Sequence, residues 1–264
     1  MQKKFANLYF YFPTDKNLKT IPDEILGKIR EEKMNNYLGY LTDEDFFKDF
    51  KERLCKNKSK IKIISGKERA KISELVLEYT SKFNKILKFR DAPLIIYIFP
   101  WYPKEKLSKD MGGISAYAMY HGVIHLYVDL EKYSKKSLEE TMAHELNHLK
   151  YYENFKSIFD LTIQDQIILE GLAECFRDDC LGGKSAPWTK NLNKKELEKA
   201  ILDLQPHFSK VDWLLHNEIF YGSKKWKRWT GYSVGYYLVK KYLKSRKKIE
   251  WQKVMKLKSS EFLN

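Results

Sequence analysis

The chain is predicted to be an α+β protein: mainly helical, with a small sheet of three or four strands ahead of a central helix and a helical part after it. Three observations predict this class. Stretches before residue 90 and after residue 134 repeat apolar residues at three-to-four spacing, as helices with one buried face do. Residues 92–130 change to short β-branched and aromatic runs broken by proline and glycine, as strands do. The 264 residues are 43% hydrophobic and 15% aromatic, which is enough for one sizeable domain or two small ones.

In chain order, residues 1–60 read as a helical N-terminal region of mixed charge. "DEILGKIREEKMNNYL" and "TDEDFFKDFKERL" carry the periodicity, and Thr42 ahead of three acids marks a helix start. Residues 61–264 follow as the main domain, with an α/β part to about 155 and a helical part after it, together one compact unit. Within it, "GKERAKISELVLEYTSKFNKILKF" places Ile72, Leu75, Val76, Tyr79, Phe83, Ile86 and Leu87 on one face of a long helix. "APLIIYIFPWYP" suits a buried strand, and "GGISAYAMYHGVIHLYVDL" suits two strands joined around His121 and Gly122. The second of these alternates, with His125 on the same side as Val123 and Tyr127. His121 and His125 read as surface or turn residues, and His207, after Pro206, as a loop residue.

Composition excludes several classes. No run of 18 apolar residues occurs, so no transmembrane helix is expected. The early run "FANLYFYF" is too short and too aromatic for a secretory signal, which makes a cytoplasmic location the default. Cys55, Cys175 and Cys180 form no disulfide framework. Net charge is +14, and Lys224–Lys258 holds thirteen Lys or Arg against the single acid Glu250. That face could attract nucleic acid or another anionic surface. No zinc-knuckle, RNA-recognition or phosphate-loop motif accompanies it, so nucleic acid stays a secondary partner.

The chemistry centres on "SLEETMAHELNHLKYYENF". Ser137 with Glu140 reads as a capping box. On the helix that follows, His144 and His148 lie one above the other, so two imidazoles can converge on one zinc ion. Glu145 sits about 100° round the helix, beside the metal position rather than on it. That offset suits a carboxylate that deprotonates a zinc-bound water. A catalytic zinc needs a third protein ligand, and "LTIQDQIILEGLAECFRDDCLGG" supplies one. Thr162 with Asp165 makes a second capping box, and Gly182 and Gly183 make the stop. In this otherwise apolar helix Glu170 and Glu174 share a face, where carboxylates are costly unless paired or metal-bound. Glu170 completes a zinc site and Glu174 can orient a zinc histidine by accepting its second ring N–H. Gly171 leaves room for the two helices to approach.

At these residues the chain resembles the gluzincin zinc metallopeptidases, with "HELNH" followed by "EGLAE". Together with "PWTK" and "WTGYSVGYYLVKKYL", in this order, it resembles a bacterial family of predicted zinc-dependent proteases of the YjaZ type. The resemblance implies one zinc ion held by His144, His148 and Glu170, Glu145 as the base, and Glu174 supporting the ligands. It also implies a Tyr or His from a later segment facing the base as oxyanion donor: Tyr232 first, with Tyr236 and His216 as alternatives. It further implies an edge strand that pairs with the substrate backbone, for which Gly112, Gly113 and Ile114 are the candidates; a tight turn opening a hairpin is the competing reading of those glycines. The expected activity is hydrolysis of peptide bonds in a peptide or protein substrate. Two other readings compete: a catalytically silent, zinc-stabilised protein that binds through its basic C-terminal face, and a zinc amidase acting on a non-protein substrate. Glu145 favours catalysis, because a structural zinc site has no use for it and is closed by a fourth protein ligand.

Overall fold

The computed structural model describes residues 8–12, 64–89, 94–100, 111–119, 122–182 and 185–263. The helices expected at 23–38 and 42–54, and Cys55, His121 and Gly183, lie outside the described residues. The chain divides into two compact units, Met1–Asn84 with Phe89–Glu145, and Lys85–Lys88 with Leu146–Asn264.

The first unit is built on a four-stranded mixed sheet. Its strands are β1 (Leu8–Tyr11), β2 (Leu94–Pro100), β3 (Ile114–Met119) and β4 (Val123–Val128), in the order β1-β2-β4-β3. β1 and β4 run parallel to β2, and β3 runs antiparallel to β4. β1 falls within the stretch expected to be helical; its four residues alternate as "LYFY", a run too short for periodicity to separate strand from helix. Helix α1 (Gly66–Leu87) starts at a capping box in which Ser65 and Glu68 bond each other's backbone N–H. It buries Ile72, Leu75, Val76, Tyr79, Phe83 and Leu87.

β4 corrects one expectation. Being central, it is covered on both faces and buries all its residues except Tyr127. His125 is therefore not a surface residue: it is 3% exposed and sits edge-on to Tyr97 and Phe99. Burial pushes its pKa from 6.5 down to about 4. The unfolded chain thus takes up a proton below pH 6.5 that the folded chain refuses. The contribution is complete above 6.5 and is lost as pH falls towards 4, at up to about 1.4 kcal/mol per pH unit. In urea unfolding measured at stepped pH, His125→Phe should remove this part of the acid slope; an unchanged slope would contradict the assignment.

Helix α2 (Lys135–Tyr152) begins three residues earlier than the sequence suggested. Ser134 and Ser137 cap each other's backbone N–H, so Ser134 is the cap, Ser137 takes the third helical position and Glu140 lies inside the helix. The serine pair satisfies the N–H groups of the cap and of the third helical position, the two roles that a Ser–Glu box fills.

The second unit is helical: α3 (Ile163–Leu181), α4 (Lys194–Leu204), α5 (Trp213–Tyr221), α6 (Thr230–Lys244) and α7 (Trp251–Val254). α3 is apolar almost all round and correspondingly buried. The capping box of Thr162 and Asp165 and the left-handed Gly182 stop are present as expected. Its closest neighbour is α6. A Cβ on Gly171 would lie 2.2 Å from Gly235 O, and a Cβ on Gly235 would lie 2.0 Å from Ile167 O. Gly171 therefore admits α6, not the helix of the two histidines. Cys175 is buried on α3, and burial raises its thiol pKa, as for an inert core cysteine. Among the described residues no helix is long and apolar enough to cross a membrane.

Candidate metal centre

α2 is continuous where the two units meet in sequence, so one helix fixes His144 and His148 a turn apart. Within the second unit, His148 Nε2 lies 3.6 Å from Glu170 Oε2. One ligand atom each from His144, His148 and Glu170 lie within 4.8 Å of one another, and this is the group of metal-ligating side chains found among the described residues. His148 is buried, and His144 and Glu170 are half-buried. Two imidazole nitrogens and one carboxylate oxygen are the donor set of a hydrolytic zinc site, which keeps a position for water. The donors fit the ion by chemistry and by number.

Glu145 is 6% exposed, and its Oε2 accepts the Ala118 backbone N–H at 2.6 Å. This contact lies within the first unit and ties the glutamate to β3. It also fixes the direction of that strand's backbone groups. Ala118 points its N–H away from β4, so by strand alternation Ala116 does the same. Among the described residues β3 has β4 as its single neighbour, and its outer side is an open edge at Ala116.

The glycines ahead of β3 serve the fold. Gly112 and Gly113 have φ of 61° and 78°, and a Cβ on Gly113 would lie 2.6 Å from Tyr133 N. A Cβ on Gly112 would lie 2.9 Å from Ser137 Cβ. Ile114 is buried and donates its N–H to Met111 O. Turn geometry and packing inside the unit account for all three residues.

Glu174 is fully buried, and Trp188 and Arg177 are among the groups that hold it. Trp188 Nε1–H donates to Oε1 at 2.9 Å, and Arg177 Nη1 pairs with Oε2 at 2.6 Å. Arg177 also donates to Asp178 Oδ1 at 2.7 Å, and Asp178 Oδ2 accepts the Tyr236 hydroxyl at 2.8 Å. Tyr236 bonds Ser185 and Lys240 as well. The Tyr236 hydroxyl is thereby committed to a cluster around Asp178, which takes it off the donor list.

His216 has its Nδ1 against Gln166 Oε1, while Gln166 Nε2 donates to Leu161 O. With the amide so oriented the neutral ring carries its proton on Nδ1, and Nε2 has a lone pair rather than a donor. Burial lowers the His216 pKa and the Glu170 charge opposes that shift. Tyr232, in the first turn of α6, packs edge-on to Phe220 at 5.0 Å and lies 6.3 Å from Trp188 between ring centroids. It stands next to the tryptophan that holds Glu174. Arg177, Trp188 and Gln166 are site residues not singled out from the sequence; the signals available were Trp188 within "PWTK" and Arg177 three residues after Glu174 on one helix, the spacing of a helical ion pair.

A family model described as predicted Zn-dependent protease (DUF2268) matches residues 72–264. Two curated proteins of Bacillus subtilis (strain 168) are similar. Uncharacterized protein YjaZ is 33% identical over 116 residues, covering 42% of this chain and 44% of that protein. Uncharacterized protein YjfC is 23% identical over 146 residues, covering 50% of this chain and 48% of that protein. The matches span about half the length of these curated relatives. No solved structure matches.

Proposed function

Because the chain belongs to the family of predicted zinc-dependent proteases, we propose that it is a zinc metallopeptidase that hydrolyses peptide bonds in peptide or protein substrates. The observation that carries this reading is the convergence of His144, His148 and Glu170, with Glu145 next in sequence to the first histidine. Those three side chains would hold one zinc ion. Bound there, zinc supplies Lewis acidity that lowers the pKa of water and polarises a carbonyl.

The rest of the chemistry belongs to the chain. Glu145 takes the proton of the attacking water on its Oε1 and passes it to the leaving amine nitrogen. The Ala118 N–H holds Oε2 and keeps the carboxylate aimed. Glu174, pinned by Trp188 and Arg177, accepts the second ring N–H of a metal histidine and fixes its tautomer. Tyr232 donates its phenol hydrogen to the developing oxyanion. An extended substrate adds to the outer edge of β3, where Ala116 offers both N–H and C=O and the start of the strand at Gly112, Gly113 and Ile114 shapes the turn. Such pairing reads backbone rather than side chains, which favours unfolded segments.

Metal analysis and a peptide-library digest test the reading together. Purified protein should carry close to stoichiometric zinc and cleave unstructured peptides. Glu170→Ala should weaken zinc binding by about 10-fold to 100-fold or more, the loss typical even of a residue that only supports a ligand. Full zinc retention in that variant would remove Glu170 from the site. Zinc retained without cleavage of any peptide would favour the silent scaffold.

A further inference from the structure

The lysines of the basic C-terminal region play no part in this mechanism, and several of them gather at one place. Beside α6 lies a cavity of about 460 Å³ whose walls include Lys190, Lys240, Lys241, Lys244, Tyr236 and Tyr237. We propose that this cavity binds a small molecule bearing two or more phosphate groups, independently of the protease reading.

Four features carry the inference. The cavity lining contains four lysines and no Asp or Glu. Among the described residues, none of these lysines forms an ion pair with a carboxylate, although Lys199, Lys227 and Lys253 of the same unit do. The lysines come from two elements: three from α6, and Lys190 from the short turn Pro187–Lys190. Lysines in the last turn of a helix complement its dipole, which accounts for Lys241 and Lys244 but not for Lys190. Lys240 is fixed in place, its ammonium 4.6 Å from the Tyr236 ring centroid and bonded to the Tyr236 hydroxyl, which itself donates to Asp178, so that Lys190, Lys241 and Lys244 carry the unbalanced charge.

Like charges brought together around a concavity repel one another, and Lys240 and Lys244 stand in the i,i+4 relation where repulsion is felt. A multiply charged anion relieves that repulsion and adds charge-assisted hydrogen bonds to ammonium groups, which bind phosphate as point charges. The volume is that of a small-ligand site. A nucleic-acid strand would instead call for an extended groove with successive stacking rings. Tyr237, 40% exposed on the wall, offers a face for the uncharged part of the ligand.

Calorimetric titration of the full chain with a hexose bisphosphate, a weak zinc chelator, tests the proposal. The wild type should bind saturably, and the unphosphorylated hexose should not bind. Lys241 and Lys244 are exposed, so Lys241→Glu/Lys244→Glu should fold, and it should bind at least about tenfold more weakly. Lys67→Glu/Lys85→Glu makes the same charge change on exposed positions of α1 and should bind within about twofold of wild type. Circular dichroism and thermal melting check both folds, and Lys241→Gln/Lys244→Gln stands in if the reversal unfolds. Absence of saturable binding, equal loss in both double variants, or an unaffected pocket variant would each overturn the proposal. Binding confined to phosphatidic acid vesicles, or to a single-stranded oligonucleotide, would overturn it in favour of a lipid or nucleic-acid surface.

Discussion

Glu145→Gln should reduce peptide hydrolysis by about 10²-fold to 10⁴-fold, the range contributed by a positioned general base, while zinc content stays at the wild-type level. The geometry makes this substitution clean. Glu145 is buried and its Oε2 accepts the Ala118 N–H, an acceptor role that the amide oxygen of glutamine can keep. The strand contact and the fold should therefore survive, and what disappears is the capacity to take up a proton. Neighbouring His144 and His148 are untouched, so the ligand set is intact. The measurement is kcat/KM on the best library peptide, paired with metal analysis of the same preparation. Turnover at the wild-type rate would exclude Glu145 as the base. Loss of both zinc and activity would mean that the carboxylate helps to hold the site together, and would leave its role in proton transfer undecided by this variant; Glu145→Asp, which keeps a shorter base, then separates the two by its pH–rate profile.

The second large effect concerns stability. Gly235→Ala should destabilise the protein by about 2–4 kcal/mol, because the added methyl has nowhere to go. It would meet Ile167 O at 2.0 Å and Gly171 N at 3.1 Å, both backbone atoms of α3 that no rotamer change can move aside. Either α6 backs away from α3 or one helix bends, and both responses disturb the buried face that carries Glu170 and Glu174. Gly66→Ala is the control: a Cβ there meets nothing within 4 Å, at the first position of α1. That change should be neutral or stabilise by up to about 1 kcal/mol, through the lower entropy of the unfolded chain. Urea midpoints of the two variants decide the matter. A Gly235→Ala midpoint equal to wild type would mean that the two helices do not approach so closely.

Much of the site could be read without coordinates, because it depends on local geometry. Two histidines four apart on a helix must share a face, and two glutamates four apart in an apolar helix must face something that compensates them. The capping box at Thr162 and the stop at Gly182 were legible for the same reason, since a helix end is satisfied by its own near neighbours. The sequence places the start of α2 three residues late because Ser134 and Ser137 offer equivalent hydroxyls, and nothing local says which one leaves the helix. The burial of His125 is not legible in the sequence, because alternation along a strand shows two faces but not whether both are covered.

The fold class, the helix that carries the two histidines, the partner helix that carries the carboxylates, and hence the donor set from which zinc is inferred are all legible in the amino-acid order. All of these follow from residue spacing along single elements. Which residues act on those elements from elsewhere depends on how the chain packs. Packing placed Ala118 on Glu145, Trp188 on Glu174, and Gly235 against Gly171. It withdrew Tyr236 from the list of oxyanion donors by tying its hydroxyl to Asp178, and it gathered four lysines from two separate segments around one cavity. These contacts join residues far apart in the chain. Side-chain periodicity records which way a residue points along its own helix or strand, and the neighbour it meets there is set by how the elements pack.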